Sequence, residues 1–294
     1  MQLDRTRIAV RERGGVEILD MALHIVRTFF RPWWQATLLG ALPFIIINGV
    51  LLYGIDESPE ATFPYRYAWL MIALVFMEAP LATSIVTMFL GAAVFEEKTN
   101  VRQALRDTLK RLPQLLWCQG LIRGVLPAMA LAATARLSSD VNGFTEIFLM
   151  IVLMLYVMAL RAFRPFINEI VLLERNPLRS RHASTITAGK RSKYLHDPSG
   201  GDLVLRWIGA ALVAFLLTLA FMETLGSTLG ILFGKWSWGP VMLYIGFPLV
   251  MWLVAGFMAV VRYLNYLDLR IRHEGWEVEL RLRAEAVRMA SKLT

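Results

Sequence analysis

Two charged residues lie deep inside long apolar stretches of this chain, and they are the first candidates for chemistry. Glu78 lies about eleven residues into the stretch 67–95, and Arg123 lies about ten residues into the stretch 113–135. An unpaired charge at the middle of a bilayer costs at least roughly 2.5–3.5 kcal/mol. Because the two stretches follow one another as a hairpin, these side chains can meet. We therefore predict an intramembrane ion pair between Glu78 and Arg123.

Three interpretations of these two charges remain open from the sequence. The pair could be a clamp that fixes the hairpin, which buried charges often do without further function. It could instead belong to a site for a transported solute or a lipid headgroup, because charged residues inside membranes mark such pathways. Each charge could also have a separate partner elsewhere in the bundle.

A second group of charged residues lies between the fourth and fifth apolar stretches. It consists of Arg175, Arg179, Arg181, Lys190, Arg191 and Lys193. Such a cluster can bind anionic lipids or dock an acidic partner, since basic residues beside a membrane are attracted to its negative surface. The alternative is a solvated face that only neutralises nearby headgroups.

The side chains needed for an enzyme or a metal centre do not form a recognisable set. The four histidines are widely separated, and Cys118 is the only cysteine, so neither metal-ligand spacing nor an intramolecular disulfide is available. No nucleophile–base pair is visible either. We expect a protein that is not an enzyme and that has no metal or other cofactor.

Six apolar stretches must position these charges, and each is close to or above the roughly 20 residues that a membrane-spanning helix needs. They are 33–54, 67–95, 113–135, 145–163, 203–225 and 239–261. This pattern predicts an all-α, polytopic membrane protein with six transmembrane helices.

The basic residues alternate with these stretches in a way that predicts the topology. Of the 31 Lys and Arg residues, 27 lie in segments 1–31, 96–112, 161–206 and 262–294. The positive-inside rule places those segments, and therefore both termini, in the cytoplasm. The net charge of +8 then reflects attraction to lipid headgroups, and we expect no nucleic acid partner. The N-terminus does not resemble a secretory signal peptide, so we expect a bacterial inner membrane protein.

The chain divides into three parts. Segment 1–31 is cytoplasmic and contains an amphipathic helix at 15–31, which lies either in the headgroup region or packed under the bundle. Segment 32–261 is the six-span domain. Segment 262–294 is a charged cytoplasmic tail, predicted as two helices broken at Gly275, with a hairpin as the alternative.

Three stretches carry a resemblance to a known family. They are RERGGVEILD (11–20), LLERNPLRS (172–180) and YLDLRIRHEG (266–275). With them the chain resembles a group of poorly characterised bacterial multi-span proteins related to the membrane domain of some glycerophosphodiester phosphodiesterases. The catalytic barrel of those enzymes has no counterpart here, so the resemblance implies a helical membrane module without the hydrolase. It also implies a MoxR-type AAA ATPase system as a candidate partner.

Two functions follow as expectations. The first is a non-enzymatic assembly or scaffold component that docks partners on its cytoplasmic face, in a homo-oligomer or in a complex with other membrane proteins. The alternative is a transporter or lipid-handling protein that uses the region of Glu78 and Arg123. Membrane lipids, particularly anionic ones, are expected partners in either case.

Overall fold

The computed structural model describes residues 13–53, 65–95, 100–121, 123–137, 143–179, 186–234, 239 and 241–274. Within these ranges all regular structure is helical and no strand occurs. The α-helices in chain order are α1 (Gly15–Thr28), α2 (Phe30–Leu52), α3 (Tyr65–Ala82), α4 (Ser84–Phe95), α5 (Val101–Leu115), α6 (Val125–Leu137), α7 (Gly143–Phe163), α8 (Ile167–Leu172), α9 (Ala188–His196), α10 (Gly200–Phe233) and α11 (Phe247–Glu274).

Within the described ranges, four helical segments are long and apolar enough to cross a membrane. They are Phe30–Leu52, Arg66–Val94, Ala188–Phe233 and Met242–Glu274. Each contains most of one predicted stretch. A fifth segment, Ile147–Phe163, is apolar but shorter. The predicted stretch 113–135 is divided between a π-helical turn, Leu116–Leu121, and α6. Such π-helical turns occur frequently at functional sites.

Helix α11 is the centre of the molecule, because α1, α2, α3, α4 and α10 all contact it. Its aromatic side chains Trp252, Tyr263 and Tyr266 are almost fully buried. The helix continues without interruption through residue 261 to Glu274, so the part of the predicted tail that precedes Gly275 is helical as predicted. Residues 275–294, including the predicted break at Gly275, lie outside the described part of the chain.

Helix α1 packs against α11 and α2, as one of its two predicted placements requires. Its residues Ile18, Ala22 and Ile25 recur at helical spacing and are buried in that contact. The helix therefore lies against the end of the bundle and contributes to its core. Its outer face still exposes Val16 and Leu23.

Close helix packing depends on glycine where α2 passes the junction between α3 and α4. A Cβ atom at Gly40 would lie 1.9 Å from the carbonyl oxygen of Ala82, whereas one at Gly49 in the same helix would meet nothing within 4 Å. Small residues at such crossings let helix backbones approach each other in membranes.

These two glycines give a prediction with opposite signs. Gly40→Ala is expected to lower the free energy of unfolding by about 1–3 kcal/mol, because the backbone of one helix must move. Gly49→Ala is expected to be neutral or to stabilise the helix by up to about 1 kcal/mol. Thermal unfolding of both variants in detergent checks this, and equal effects would contradict the close approach.

Candidate functional site: an arginine-ended groove

Glu78 is buried in α3 and receives a hydrogen bond from α2. The Nδ2 atom of Asn48 donates to its Oε2 atom at 2.8 Å, and both side chains are at most 2% exposed. The carboxyl group of Glu78 therefore has an uncharged hydrogen-bond partner in the first apolar helix. Helix α2 packs closely on α3, so this amide reaches the carboxyl group directly.

Arg123 is also buried, but it faces a different part of the bundle. Its Nη1 atom donates to the carbonyl oxygen of Arg164 at 3.0 Å, just beyond the end of α7. The last carbonyl groups of a helix have no intrahelical partner and attract cations. Among the described residues no ion pair joins Glu78 to Arg123. The predicted pair is thus corrected: each charge has its own partner, which was the third of the open interpretations.

A third charge inside the bundle, Arg161 of α7, was assigned to a cytoplasmic segment by the sequence analysis. Its guanidinium group donates to the carbonyl oxygens of Phe76 and of Met77, the latter at 2.7 Å. Pro80 explains the first contact, because a proline has no N–H to bond the carbonyl four residues earlier, which is that of Phe76. The guanidinium group also lies 4.4 Å from the centre of the Phe76 ring.

Amide groups from two other segments form hydrogen bonds near the junction between α3 and α4. Asn168 of α8 donates from Nδ2 to the carbonyl oxygen of Pro80 at 2.5 Å, and Gln119 donates to Asn168 at 2.7 Å. Gln119 belongs to the π-helical turn. The proline in α3, the π-helical turn and the short helix α8 therefore meet at one place, close to Arg161.

Pro80 and Gln119 line one end of a groove of about 620 Å³, which runs between α3, α7, α10 and α11. That volume is within the roughly 300–1,000 Å³ typical of small-molecule sites. The α10 residues that line it recur at helical spacing from Leu203 to Glu223. Twenty residues of rise correspond to about 30 Å, the thickness of the hydrocarbon core of a bilayer.

The groove is apolar along most of its length and cationic at one end. The apolar part is lined by residues such as Ile72, Phe215 and Met251. The cationic end is lined by Arg123, Arg161, Arg164, Arg206 and Arg262. Within the described residues Glu223, near the far end of the α10 stripe, is the one acidic side chain that lines the groove.

The five arginines fall into two sets. Arg206 pairs with Asp268 at 2.8 Å, and Arg262 pairs with Glu169 at 2.8 Å. By contrast, no carboxylate among the described residues lies within ion-pair distance of Arg123, Arg161 or Arg164. The buried Nε atom of Arg161 has no hydrogen-bond partner there either. Of these three, only Arg123 is a site residue predicted from the sequence; the signal for Arg161 is the carbonyl group of Phe76, which Pro80 leaves without an N–H partner.

No family model, curated protein or solved structure matches this chain. The resemblance to the phosphodiesterase membrane domain therefore stays a prediction. The candidate site depends only on its own geometry, and among the described residues no group of three or more His, Cys, Asp or Glu side chains could hold a metal ion.

The predicted basic docking residues separate into two environments. Arg175, Arg179, Lys190 and Lys193 are exposed, and Arg175 adopts a left-handed backbone conformation with φ of 57°. Arg191 points inward, where it pairs with Glu174 at 2.5 Å and with Glu274. Arg181 lies outside the described residues.

The ion pairs around Glu174 join three distant parts of the chain. Its carboxylate accepts hydrogen bonds from Arg191 of α9 and from Tyr266 of α11, the latter at 2.6 Å. Burial alone would raise the pKa of the Glu174 carboxyl. The hydrogen bonds from Arg191 and Tyr266 and the charge of Arg270 outweigh burial, so the pKa is held below its ordinary value of 4.5.

This lowered pKa predicts a pH-dependent contact. A carboxyl whose pKa is lower in the folded state stabilises that state above its ordinary value of 4.5 and loses the contribution as the pH falls through the folded value. Unfolding followed from pH 7 to pH 3 is expected to depend less steeply on pH in Glu174→Gln than in the wild type. Asp202→Asn, which removes a half-exposed carboxylate outside this cluster, is the control for the loss of one negative charge.

Proposed function

We propose that this protein is a non-enzymatic, lipid-handling membrane protein that binds an amphiphilic molecule in the groove between α3, α7, α10 and α11. The observation that carries the proposal is the shape and charge of the groove: a long apolar lining that ends in arginines. An amphiphile has the same division between a chain and a polar group. The groove is thus complementary to one amphiphile lying along the bundle.

Two features support amphiphile binding over a sealed structural bundle. Apolar side chains along a groove of this length are stabilised by a hydrocarbon chain, which supplies dispersion contacts that water does not. The α10 stripe also contains the small residues Ala210, Ala211 and Ala214, which leave room beside the helix. Large side chains at these positions would fill the groove.

The proposal includes a membrane topology. The four apolar helices cross a bacterial inner membrane, and the segments containing α6 and α7 complete six spans. Both termini, α5 and α9 then lie on the cytoplasmic side, where the basic residues are concentrated. The arginine end of the groove is the end nearer the cytoplasm, because α7 runs inward and ends beside Arg161.

A scaffold function remains the second proposal, favoured by one observation. Arg175, Arg179, Lys190 and Lys193 are exposed near one another in the chain, without an ion pair among the described residues. They could dock anionic lipid or a partner with an acidic surface, for which an AAA ATPase system is a candidate. Arg191 takes no part in this surface because it is committed to Glu174 and Glu274.

Copurification of bound amphiphile tests the lipid-handling proposal. Protein purified in mild detergent is expected to retain an amphiphile that native mass spectrometry detects. Ala214→Trp, which fills the groove, is expected to remove it. Ala220→Trp on the same helix does not touch the groove and is the matched control. Equal retention by both variants, or none by the wild type, would overturn the proposal.

A further inference from the structure

We infer that the groove selects an amphiphile whose headgroup is an oxyanion, a terminal phosphate or carboxylate, and that Arg123, Arg161 and Arg164 bind it. This inference rests on the proposed function, since it names the class of molecule that occupies the same groove. Besides an apolar groove, this selectivity requires cations that have no carboxylate partner among the described residues.

The uncompensated charge is the first step of the argument. Arg206 and Arg262 are neutralised by Asp268 and Glu169, respectively, as buried arginines usually are. The guanidinium groups of Arg123 and Arg161 bond only backbone carbonyl oxygens and an aromatic ring among the described residues. Carbonyl groups satisfy some of the N–H donors, but they leave each positive charge in place.

The second step is the proximity of these charges. Arg123 donates a hydrogen bond to the backbone carbonyl of Arg164, and Arg164 follows Arg161 by three residues at the end of α7. All three side chains line the same end of the groove. Like charges held together in a partly buried site are unfavourable, and a bound anion relieves that repulsion. Arginine suits this role because its planar fork of donors matches the oxygens of a phosphate or carboxylate.

The third step is the supply of free donors. Each guanidinium group carries five N–H donors. Arg123 uses one of them for the carbonyl oxygen of Arg164. The Nε atom of Arg161 is buried without a partner, although the side chain lines the groove. Arg164 is exposed at the mouth of this end, and no hydrogen bond of its side chain is found within the described residues. An oxyanion at this position can accept from all three residues.

The surrounding groups do not compete for this anion. Glu223, the acidic residue that lines the groove, is separated from Arg206 by seventeen residues of α10, or about 25 Å along the helix. Gln119 lines the same end and has its Nε2 atom bonded to Asn168. The headgroup therefore meets a cationic end, while its chain extends towards the apolar end between α10 and α11.

A pair of amphiphiles that differ only in the headgroup tests this inference. Oleoyl lysophosphatidate carries a phosphate, and monooleoylglycerol has the same chain without it. Titration of the detergent-solubilised full chain, read by native mass spectrometry, is expected to show at least about tenfold tighter binding of the lysophosphatidate, because charge-assisted hydrogen bonds are the strong ones. Inorganic phosphate alone is expected to compete weakly, since it lacks the chain.

Variants separate the headgroup contacts from the fold. Arg161→Gln is expected to remove most of the preference for the phosphate, but it also loses contacts to helix α3. Arg164→Gln changes an exposed side chain, leaves the fold intact, and is expected to reduce the preference at least about threefold. Arg102→Gln, on the exposed face of α5, is the matched charge control and is expected to retain it.

The outcomes distinguish this inference from the proposed function. Equal affinity for the two amphiphiles, lost in Ala214→Trp, would overturn the oxyanion selectivity and leave the lipid-binding groove standing. No binding of either amphiphile would overturn both. Binding of inorganic phosphate as tight as that of lysophosphatidate would retain the anion site and overturn the role of the apolar groove. An unchanged preference in both Arg161→Gln and Arg164→Gln would overturn the assignment of these arginines.

Discussion

Replacing Arg262 with methionine is expected to lower the free energy of unfolding by about 3–5 kcal/mol, because it leaves a buried carboxylate without its counter-ion. Glu169 of α8 is fully buried, and its Oε1 atom receives the Nε–H of Arg262 at 2.8 Å. Its other oxygen already has no hydrogen-bond partner among the described residues. Thr87 also loses the donor that Arg262 provides at 3.2 Å.

A second substitution shows whether the destabilisation comes from the unpaired carboxylate or from the loss of the arginine side chain. In the double variant Arg262→Met, Glu169→Met, both charges are gone and the side chains keep a similar volume. Such apolar replacements of buried ion pairs are often neutral. In thermal unfolding in detergent, the double variant is therefore expected to have a clearly higher melting temperature than Arg262→Met alone. A double variant as unstable as the single one would contradict this explanation.

Lys110→Met provides the surface comparison. Lys110 and Asp107 of α5 form an ion pair at 2.6 Å, but the lysine side chain is 61% exposed. Exposed pairs contribute about 0–1 kcal/mol, because water and salt screen the attraction. Both substitutions remove one positive charge from an ion pair. The difference between their free energies of unfolding therefore measures the effect of burial.

The long apolar helices could be predicted from the sequence because a membrane allows few alternatives. A backbone in lipid must satisfy its own hydrogen bonds, so a run of about 20 apolar residues becomes a helix. The predicted stretches 33–54, 67–95 and 203–225 accordingly lie almost entirely within helical segments of the structure. The stretch 113–135 deviates where the π-helical turn interrupts it, next to the arginine end of the groove.

The partners of the buried charges could not be predicted in the same way. Depth along a helix places Glu78 near the middle of the bundle, but it does not specify which neighbour it faces. Asn48 and Arg123 were both available at a suitable depth, and packing of α2 on α3 brings Asn48 to the carboxyl group. Arg123 lies beside α7 instead, where a helix end offers a free carbonyl oxygen.

The groove could not be predicted from the sequence either. Its lining comes from α3, α7, α10 and α11, whose order around the bundle is not encoded in any single periodic pattern. Arg161 counted as one of many basic residues near a predicted boundary. The neighbouring helix α3 explains why this arginine turns into the bundle, because Pro80 leaves the carbonyl oxygen of Phe76 free to accept its hydrogen bond.

Asp268 explains why α11 stays packed in the bundle beyond residue 261. This side chain is 3% exposed and accepts a hydrogen bond from the backbone N–H of Arg13 at 2.8 Å. It also pairs with Arg206 of α10 at 2.8 Å and with Arg272, one turn further along α11, at 3.0 Å. The charged residues after 261 resemble a solvated tail in the sequence, but in the structure residues from distant parts of the chain neutralise them.

Asp268→Leu is therefore expected to lower the free energy of unfolding by about 3–5 kcal/mol, because two arginines lose a buried counter-ion and the chain before α1 loses its anchor. Asp268→Asn keeps an acceptor for the N–H of Arg13 and is expected to cost less. The contact with α1 adds a local readout: trypsin should cleave after Arg27, an exposed residue of α1, faster in Asp268→Leu than in the wild type.

Asp202→Asn is the matched control, because Asp202 pairs with the same Arg206 at 2.9 Å but is 52% exposed. Its loss is expected to cost at most about 1 kcal/mol and to leave cleavage at Arg27 unchanged. If Asp202→Asn destabilised the protein as much as Asp268→Leu, the attraction to Arg206 alone would explain both effects. A larger effect at Asp268, together with faster cleavage of α1, identifies this carboxylate as the link that holds α1, α10 and α11 at the arginine end of the groove.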